Sequence, residues 1–132
     1  MCAMKQESSK RVLIIEDDID LLMLLERRLK KEGFEVETAI SLPEAEELII
    51  YFSPHLVILD INVNGQDGRK LCWKIKKQGT DPDIKVVMIS GFDINPVRAA
   101  LFGADDIVPK PFNIDFLVGR VDRLLFYLPD YK

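Results

Sequence analysis

The 132-residue sequence has little of what several protein classes require. Its two cysteines, Cys2 and Cys72, form no C-x-x-C pair, which argues against a disulfide scaffold and predicts a reduced, cytoplasmic chain. No apolar run approaches the roughly 18 residues of a membrane span, and residues 1–9 lack the apolar segment of a signal peptide. The net charge is −4, and the nearest approach to a basic run is Lys74–Gln78, which we interpret as a solvated helix face. Neither a membrane nor a nucleic acid is therefore an expected partner.

What the composition does contain fits one globular domain, with 48% apolar and 30% charged residues. A chain of this length buries about two thirds of the surface that it exposes when unfolded, so its core needs no disulfide or structural metal. We divide it into a flexible tail at residues 1–9, a folded domain at residues 10–128 and a short tail at residues 129–132. The sequence leaves open whether this domain stands alone or belongs to a longer chain.

Apolar runs and helical patterns alternate along the chain. RVLII, HLVIL and KVVMI are near-continuous apolar runs, which predict strands buried on both faces of a parallel sheet. FEVETA is more polar and predicts an edge strand, and ADDIVP supplies a fifth strand. Capping and stop residues predict a helix after each strand, including a short fourth helix from Asn95 to Gly103. The fold class is therefore α/β, a (βα)5 doubly wound three-layer sandwich around a five-stranded parallel sheet.

Two helices carry apolar stripes that we expect to face the core. In the first helix the stripe is Leu21, Leu24, Leu25 and Leu29. In the last helix it is Phe116, Leu117, Val121, Leu124 and Leu125. The only histidine, His55, precedes a strand and is expected to be structural, and Cys72 and Trp73 are assigned to helix packing or surface, without chemistry.

Polar side chains stand at the C-terminal ends of four of the five predicted strands. They are Glu16, Asp17 and Asp18 after the first strand, then Asp60, Ser90 and Lys110 at the third, fourth and fifth. Because parallel strands end at the same edge of a sheet, these groups should meet there. Converging carboxylates raise one another's pKa and call for a positive partner, for which Mg²⁺ and Lys110 are the natural candidates. Asp60 is then a candidate nucleophile that forms an acyl phosphate.

The segments VLIIEDD, VILDINV, VVMISG and VPKPF, in this order, resemble the receiver domain of bacterial two-component response regulators, the family of the chemotaxis response regulator. The resemblance covers residue 10 to about residue 128. It implies a flavodoxin-like strand order 2-1-3-4-5. It also implies a cytoplasmic signalling domain, not an enzyme, which catalyses only its own phosphorylation and dephosphorylation.

The same resemblance implies a role for each residue at the strand ends. The implied Mg²⁺ ligands are Glu16, Asp17 as the more direct of the pair, Asp60 and the backbone carbonyl of Asn62. Asp60 would be the phosphoacceptor, Ser90 the Ser/Thr switch residue and Lys110 the lysine that precedes a cis proline. The implied phosphoryl donor is a histidine kinase or a histidine phosphotransfer protein. The phosphorylated surface of the fourth helix, fifth strand and fifth helix would control an output partner, an output domain or a phosphorylation-dependent homodimer.

Three departures from the family pattern bear on signalling. Ile107 occupies the position where the family usually has Tyr or Phe, which rules out an aromatic switch. The stretch from Ser90 to Lys110 is about two residues shorter than is common in the family, which would trim the fourth-helix region. Asn64 replaces a frequent proline and is expected to loosen the loop over the metal. We therefore expect intact phosphorylation with unusual coupling to output.

Other interpretations of these residues remain open at the level of sequence. Each strand-end residue could be an ordinary cap, turn former or surface charge, and the whole domain could be a phosphorylation-independent interaction module. A small Mg²⁺-dependent phosphohydrolase would require a second acid two residues after Asp60, where Asn62 stands. A flavin or nucleotide carrier is disfavoured because no Gly-rich phosphate loop follows the first strand.

Overall fold

The structure is a computed structural model that describes residues 9–78, 83–91 and 102–127. Five strands form one parallel sheet: β1 (Arg11–Ile15), β2 (Glu35–Ala39), β3 (Leu56–Asp60), β6 (Lys85–Ser90) and β7 (Asp106–Pro109). Two short antiparallel strands, β4 (Asn62–Val63) and β5 (Gln66–Asp67), form a hairpin directly after β3. The sheet order β2-β1-β3-β6-β7 confirms the predicted 2-1-3-4-5 order, since the hairpin is not part of the main sheet.

Four helices lie in the described parts of the chain. They are α1 (Ile19–Lys31), α2 (Leu42–Tyr51), α3 (Gly68–Trp73) and α4 (Ile114–Asp122). Helix α3 continues as a π-helical turn at Lys74–Gln78, and α4 continues in the same way at Arg123–Tyr127. The predicted fourth helix from Asn95 to Gly103 lies outside the described residues, except for its last two positions.

Each of these helices begins at a side chain that caps its free backbone N–H groups. The capping residues are Asp18 for α1, Ser41 for α2, Asp67 for α3 and Asn113 for α4. Because the Asp18 carboxylate caps α1, the acidic side chains after β1 that remain for a functional site are Glu16 and Asp17.

The sheet is covered on both faces, which confirms the three-layer sandwich. Along β1, Val12 and Ile14 belong to a core layer shared with α1 and α4. Leu13 and Ile15 point to the opposite layer, which α2 and α3 cover. Because successive side chains of a strand alternate between faces, a strand with two covered faces is apolar throughout, as the sequence of β1 is.

Both of the predicted apolar stripes are partly wrong, since each includes a side chain that is half exposed. In α1, Leu24 is 51% exposed, whereas Leu22 is buried beside Leu25. The run of adjacent leucines fits two rotations of the helix, and contact with β1 and β2 selects one of them. In α4, Phe116 is 50% exposed and lies under the guanidinium of Arg120, with 5.4 Å from the Arg120 Cζ to the ring centroid.

The strand β2 lies at one edge of the sheet, as its polar sequence predicted. Glu35 and Glu37 are exposed, while Val36 and Ala39 are buried. The other edge is β7, which ends in Pro109. None of the described helices is long and apolar enough to span a membrane.

Candidate functional site

Asp60 ends β3 as a buried carboxylate, only 5% exposed. Its Oδ2 accepts a hydrogen bond from the Lys110 Nζ at 3.0 Å, and its Oδ1 accepts one from the backbone N–H of Asn62 at 3.1 Å. A buried carboxylate needs such partners because removal from water penalises its charge. Both oxygens of Asp60 are therefore held in fixed directions at the edge of the sheet.

Glu16 lies directly after β1 and is fully buried. Its Oε2 accepts a hydrogen bond from the Asp18 N–H at 3.0 Å, and its Oε1 lies 2.9 Å from the Lys110 Nζ. Burial raises the pKa of Glu16 to about 7, and the nearby charge of Asp60 adds to this rise. The bonds from Asp18 and Lys110 only partly offset that effect.

Lys110 follows β7 and places its ammonium between Glu16 and Asp60. Burial lowers the pKa of Lys110, but hydrogen bonds and ion pairs with the two carboxylates outweigh it and raise the pKa above its ordinary value. The backbone N–H of Lys110 also donates to the carbonyl of Ser90 at 2.6 Å, and the Lys110–Pro111 peptide bond is cis. The lysine is therefore a charged group held in place by both its side chain and its backbone.

Asp17 completes an acidic cluster with Glu16 and Asp60. One carboxylate oxygen of each residue lies within 4.8 Å of the others. The single ammonium of Lys110 leaves this cluster with excess negative charge, and its oxygens are the ligands that a hard divalent cation prefers. The donor set therefore fits Mg²⁺.

Ser90 and Asn62 lie at the same edge of the sheet. Ser90 ends β6, is 1% exposed, and follows Ile89, which pairs with Asp60 across the neighbouring strands. Asn62 is exposed at the start of the hairpin, and its described contact with the site is the N–H bond to Asp60. The six residues of the predicted site, five from strand ends and Asn62 from the resemblance, thus lie at one edge of the sheet.

A cavity of about 380 Å³ adjoins this edge and shares Lys110 with it. The other lining residues are Asp18, Leu21, Gly91, Pro111 and Phe112. They come from the start of α1 and from the segments after β6 and β7, so the cavity opens beside the carboxyl ends of the strands.

Comparison with known proteins agrees with this geometry. The family model of the response regulator receiver domain matches residues 12–122. The chain belongs to this family. The non-phosphorylated HemR receiver domain of Leptospira biflexa is 27% identical, with a TM-score of 0.83 over 94% of this chain and 100% of that one. The BeF3-activated receiver domain of Klebsiella pneumoniae RstA is also 27% identical, with a TM-score of 0.79 over 89% and 99% of the two chains.

Gly68, the first residue of α3, is a site-forming residue of this receiver domain that the sequence patterns did not reveal. Its N–H donates to the Ile61 carbonyl at 2.6 Å, and a Cβ atom at this position would lie 2.3 Å from the backbone oxygen of Asp60. The sequence feature that could have indicated this role is the pair Asp67-Gly68. Asp67 caps α3, and the lack of a side chain at Gly68 lets the start of α3 approach the end of β3 closely.

The loop at Asn64, for which the sequence predicts loosening, makes two hydrogen bonds to neighbouring connections. Asn64 and Gly65 have φ of 51° and 78°, which suit the tight two-residue turn between β4 and β5. The Asn64 N–H donates to the Asp17 Oδ2 at 2.7 Å, and its side-chain amide donates to the Ile40 carbonyl at 2.7 Å. The loop is therefore bonded on two sides, because an Asn-Gly pair adopts left-handed backbone conformations readily.

Ile107 lies in β7, where it is half-buried and packs against the core layer of α2 and α3. Phe102 and Ala104 pack against the same layer. The receiver domain thus has an aliphatic side chain where the resemblance leads us to expect a rotating aromatic ring. The shortened stretch before it falls largely on residues 92–101, outside the described residues.

The residues to which we assigned no chemistry have structural contacts. The His55 Nδ1 accepts a hydrogen bond from the Arg11 N–H at 2.9 Å, and burial raises the pKa of Cys72 to about 12. The interpretation of Lys74–Gln78 as a wholly solvated face is wrong for Lys76. Its ammonium donates to the Ile84 carbonyl at 2.8 Å and to the Asp105 Oδ2 at 2.9 Å.

Proposed function

We propose that Asp60 accepts a phosphoryl group from the phosphohistidine of a histidine kinase or histidine phosphotransfer protein. In this step the P–N bond of the donor breaks, a P–O bond to an Asp60 carboxylate oxygen forms, and the donor imidazole takes up a proton. The observation that carries the proposal is the convergence of two further carboxylates and an ammonium on the buried carboxylate of Asp60. The cavity beside Lys110 offers room for the approaching donor.

The proposed Mg²⁺ ligands are Glu16, Asp17, Asp60 and the backbone carbonyl of Asn62. When bound, the ion supplies positive charge that offsets the charge of the transferring phosphoryl oxygens. Lys110 adds a positive charge beside Asp60 and would exchange one of its present carboxylate bonds for a phosphoryl oxygen. The hydroxyl of Ser90 would donate a hydrogen bond to another phosphoryl oxygen.

Phosphorylation would add about −1.5 to −2 units of charge at Asp60. Because the Lys110 N–H is bonded to the Ser90 carbonyl, movement of either residue toward the phosphoryl group would pull on the ends of both β6 and β7. Ile107 lies within β7, so the shift would pass without a ring flip to the surface that we predict from the sequence, formed by the fourth helix, β7 and α4. That surface would then bind an output partner, an output domain or a second copy of the chain.

The decisive experiment is the intact mass of the protein after incubation with acetyl phosphate and Mg²⁺. We expect a gain of one phosphate, about 80 Da, in the wild type, and no gain in Asp60→Asn or without Mg²⁺. Asp20→Asn, which alters an exposed carboxylate in the first turn of α1, is the matched control and should gain the phosphate.

The absence of a mass gain in folded wild-type protein with Mg²⁺ would refute phosphorylation of Asp60. The domain would then be a phosphorylation-independent interaction module. Continuous release of inorganic phosphate from small phosphate esters would point to a phosphohydrolase, which the absence of an acid at Asn62 disfavours.

A further inference from the structure

Asn64 links three connections at the carboxyl edge of the sheet. Its backbone N–H donates to the Asp17 Oδ2, in the connection after β1. Its side-chain amide donates to the carbonyl of Ile40, in the connection after β2. Ile40 is itself held, since its N–H donates to the Glu44 Oε1 in the first turn of α2 at 3.0 Å. The result is a continuous chain of hydrogen bonds from α2 to the acidic cluster.

The geometry of the bond to Asp17 is favourable for fixing a carboxylate. A distance of 2.7 Å between a backbone N–H and a carboxylate oxygen is typical of a short, charge-assisted hydrogen bond. Asp17 is only half-buried, so without this bond its side chain would be free to rotate between rotamers. The bond occupies one oxygen and leaves the other available to a cation.

The tip of the hairpin makes two hydrogen bonds that oppose its movement away from Asp17 and Ile40. The left-handed conformation of Asn64 directs its N–H toward Asp17 while its side chain reaches Ile40, so the two bonds act together. The N–H is the essential donor, and every residue except proline supplies it. The side-chain amide, by contrast, is specific to asparagine at this position.

We propose that Asn64 is a positioning residue that holds the Asp17 carboxylate in the orientation that binds a divalent cation. This inference rests on the proposed function, because it assigns a role toward the Mg²⁺ of that site. In this role Asn64 is not a ligand of the cation. It holds the Asp17 carboxylate in place before the cation binds, which raises the affinity for the cation because less side-chain freedom is lost on binding.

The test is the dissociation constant for Mg²⁺, measured by NMR titration of the backbone amides with MgCl₂ in the absence of any phosphoryl donor. Asn64→Pro removes both donors and also forces the backbone away from its φ of 51°, and it should raise the dissociation constant about tenfold. Asn64→Gly restores the N–H and tolerates the left-handed backbone, so it should bind within about threefold of the wild type. Gly65→Ala strains the same turn, where φ is 78°, but keeps both donors, and should bind as the wild type does.

Equal Mg²⁺ affinity in Asn64→Pro and the wild type would overturn the role of Asn64 and leave the proposed function standing. A loss in Gly65→Ala as large as that in Asn64→Pro would also overturn it, since distortion of the turn would then explain both. A wild type that binds no Mg²⁺ would overturn both proposals together.

Hydrogen exchange gives a second test that does not depend on the folding of the proline variant. The Asn64 amide proton should exchange slowly in the wild type and about tenfold faster in Asp17→Ala, which removes the acceptor. Exchange at the rate of an unprotected amide in the wild type would contradict the bond on which the inference depends.

Discussion

Replacement of Gly68 by alanine is expected to destabilise the domain, although a glycine-to-alanine change within a helix usually does the opposite. A Cβ atom at Gly68 would lie 2.3 Å from the backbone oxygen of Asp60, about 1 Å short of ordinary van der Waals contact at 3.4 Å. The same atom would lie 3.2 Å from the Leu59 Cδ1 and 3.3 Å from the Ile61 oxygen. Because two of these three neighbours are backbone atoms, the start of α3 must move away from the end of β3.

The magnitude follows from two opposing contributions. Overpacking of a close contact costs about 1–3 kcal/mol, and replacing glycine by alanine contributes roughly 0.5–1 kcal/mol of stabilisation through backbone entropy. The net expectation for Gly68→Ala is a loss of about 1–2 kcal/mol in the free energy of unfolding. Gly119 in α4 provides a matched control, since it is exposed and its added Cβ meets no atom within 4 Å. Gly119→Ala should stabilise the domain by about 0.5–1 kcal/mol.

Urea denaturation followed by circular dichroism would measure both variants under the same conditions. We expect Gly68→Ala to lie about 1.5–3 kcal/mol below Gly119→Ala in the free energy of unfolding. A Gly68→Ala variant as stable as Gly119→Ala would show that α3 can move from β3 at negligible cost, and would refute the close-contact argument.

Three further predictions concern charged groups of the described structure. Arg120→Ala removes both hydrogen bonds to the largely buried carboxylate of Asp106 and should lower the free energy of unfolding by about 1–3 kcal/mol in urea denaturation; an unchanged value would mean that water replaces the guanidinium. Lys110→Ala leaves the carboxylates of Glu16 and Asp60 without their ammonium and should lower the melting temperature in the absence of Mg²⁺, with partial recovery when MgCl₂ is added. The raised pKa of Glu16, about 7 against 4.5 when unfolded, means that the folded state holds its proton more tightly. This contribution to stability is fully present below pH 4.5 and is lost as the pH rises to about 7. In urea denaturation without metal, the free energy of unfolding of the wild type should therefore fall relative to that of Glu16→Gln over this range. A difference between the two proteins that stays constant with pH would contradict the raised pKa of Glu16.

The fold was predictable because its signals are local and repeated. Apolar runs of strand length, alternating in the sequence with helical patterns that begin at capping residues, leave a parallel sheet with two covered faces as the natural arrangement. The meeting of Glu16, Asp60 and Lys110 was predictable for a topological reason, since parallel strands end at the same edge.

The features that could not be predicted from the sequence depend on the rotation of helix α1 about its axis and on the backbone conformation of one loop. Leu22 and Leu24 are chemically identical, and only the contact of α1 with the sheet decides which of them is buried. The bond from Asn64 to Asp17 joins residues 47 positions apart and requires a left-handed backbone at the tip of a two-residue turn. The replacement of a frequent proline by asparagine suggested a looser loop there and gave no sign of the two hydrogen bonds that Asn64 makes.

The two edges of the sheet limit how copies of this domain can associate. Two identical β2 strands brought side by side would place the exposed carboxylates of Glu35 and Glu37 against their counterparts. At the opposite edge, Pro109 lacks the N–H that a further strand would need at the end of β7. Sheet extension across two molecules is thus disfavoured by charge at one side and by a missing donor at the other. A dimer of this receiver domain would have to form through its helices and loops, with each sheet remaining five strands wide.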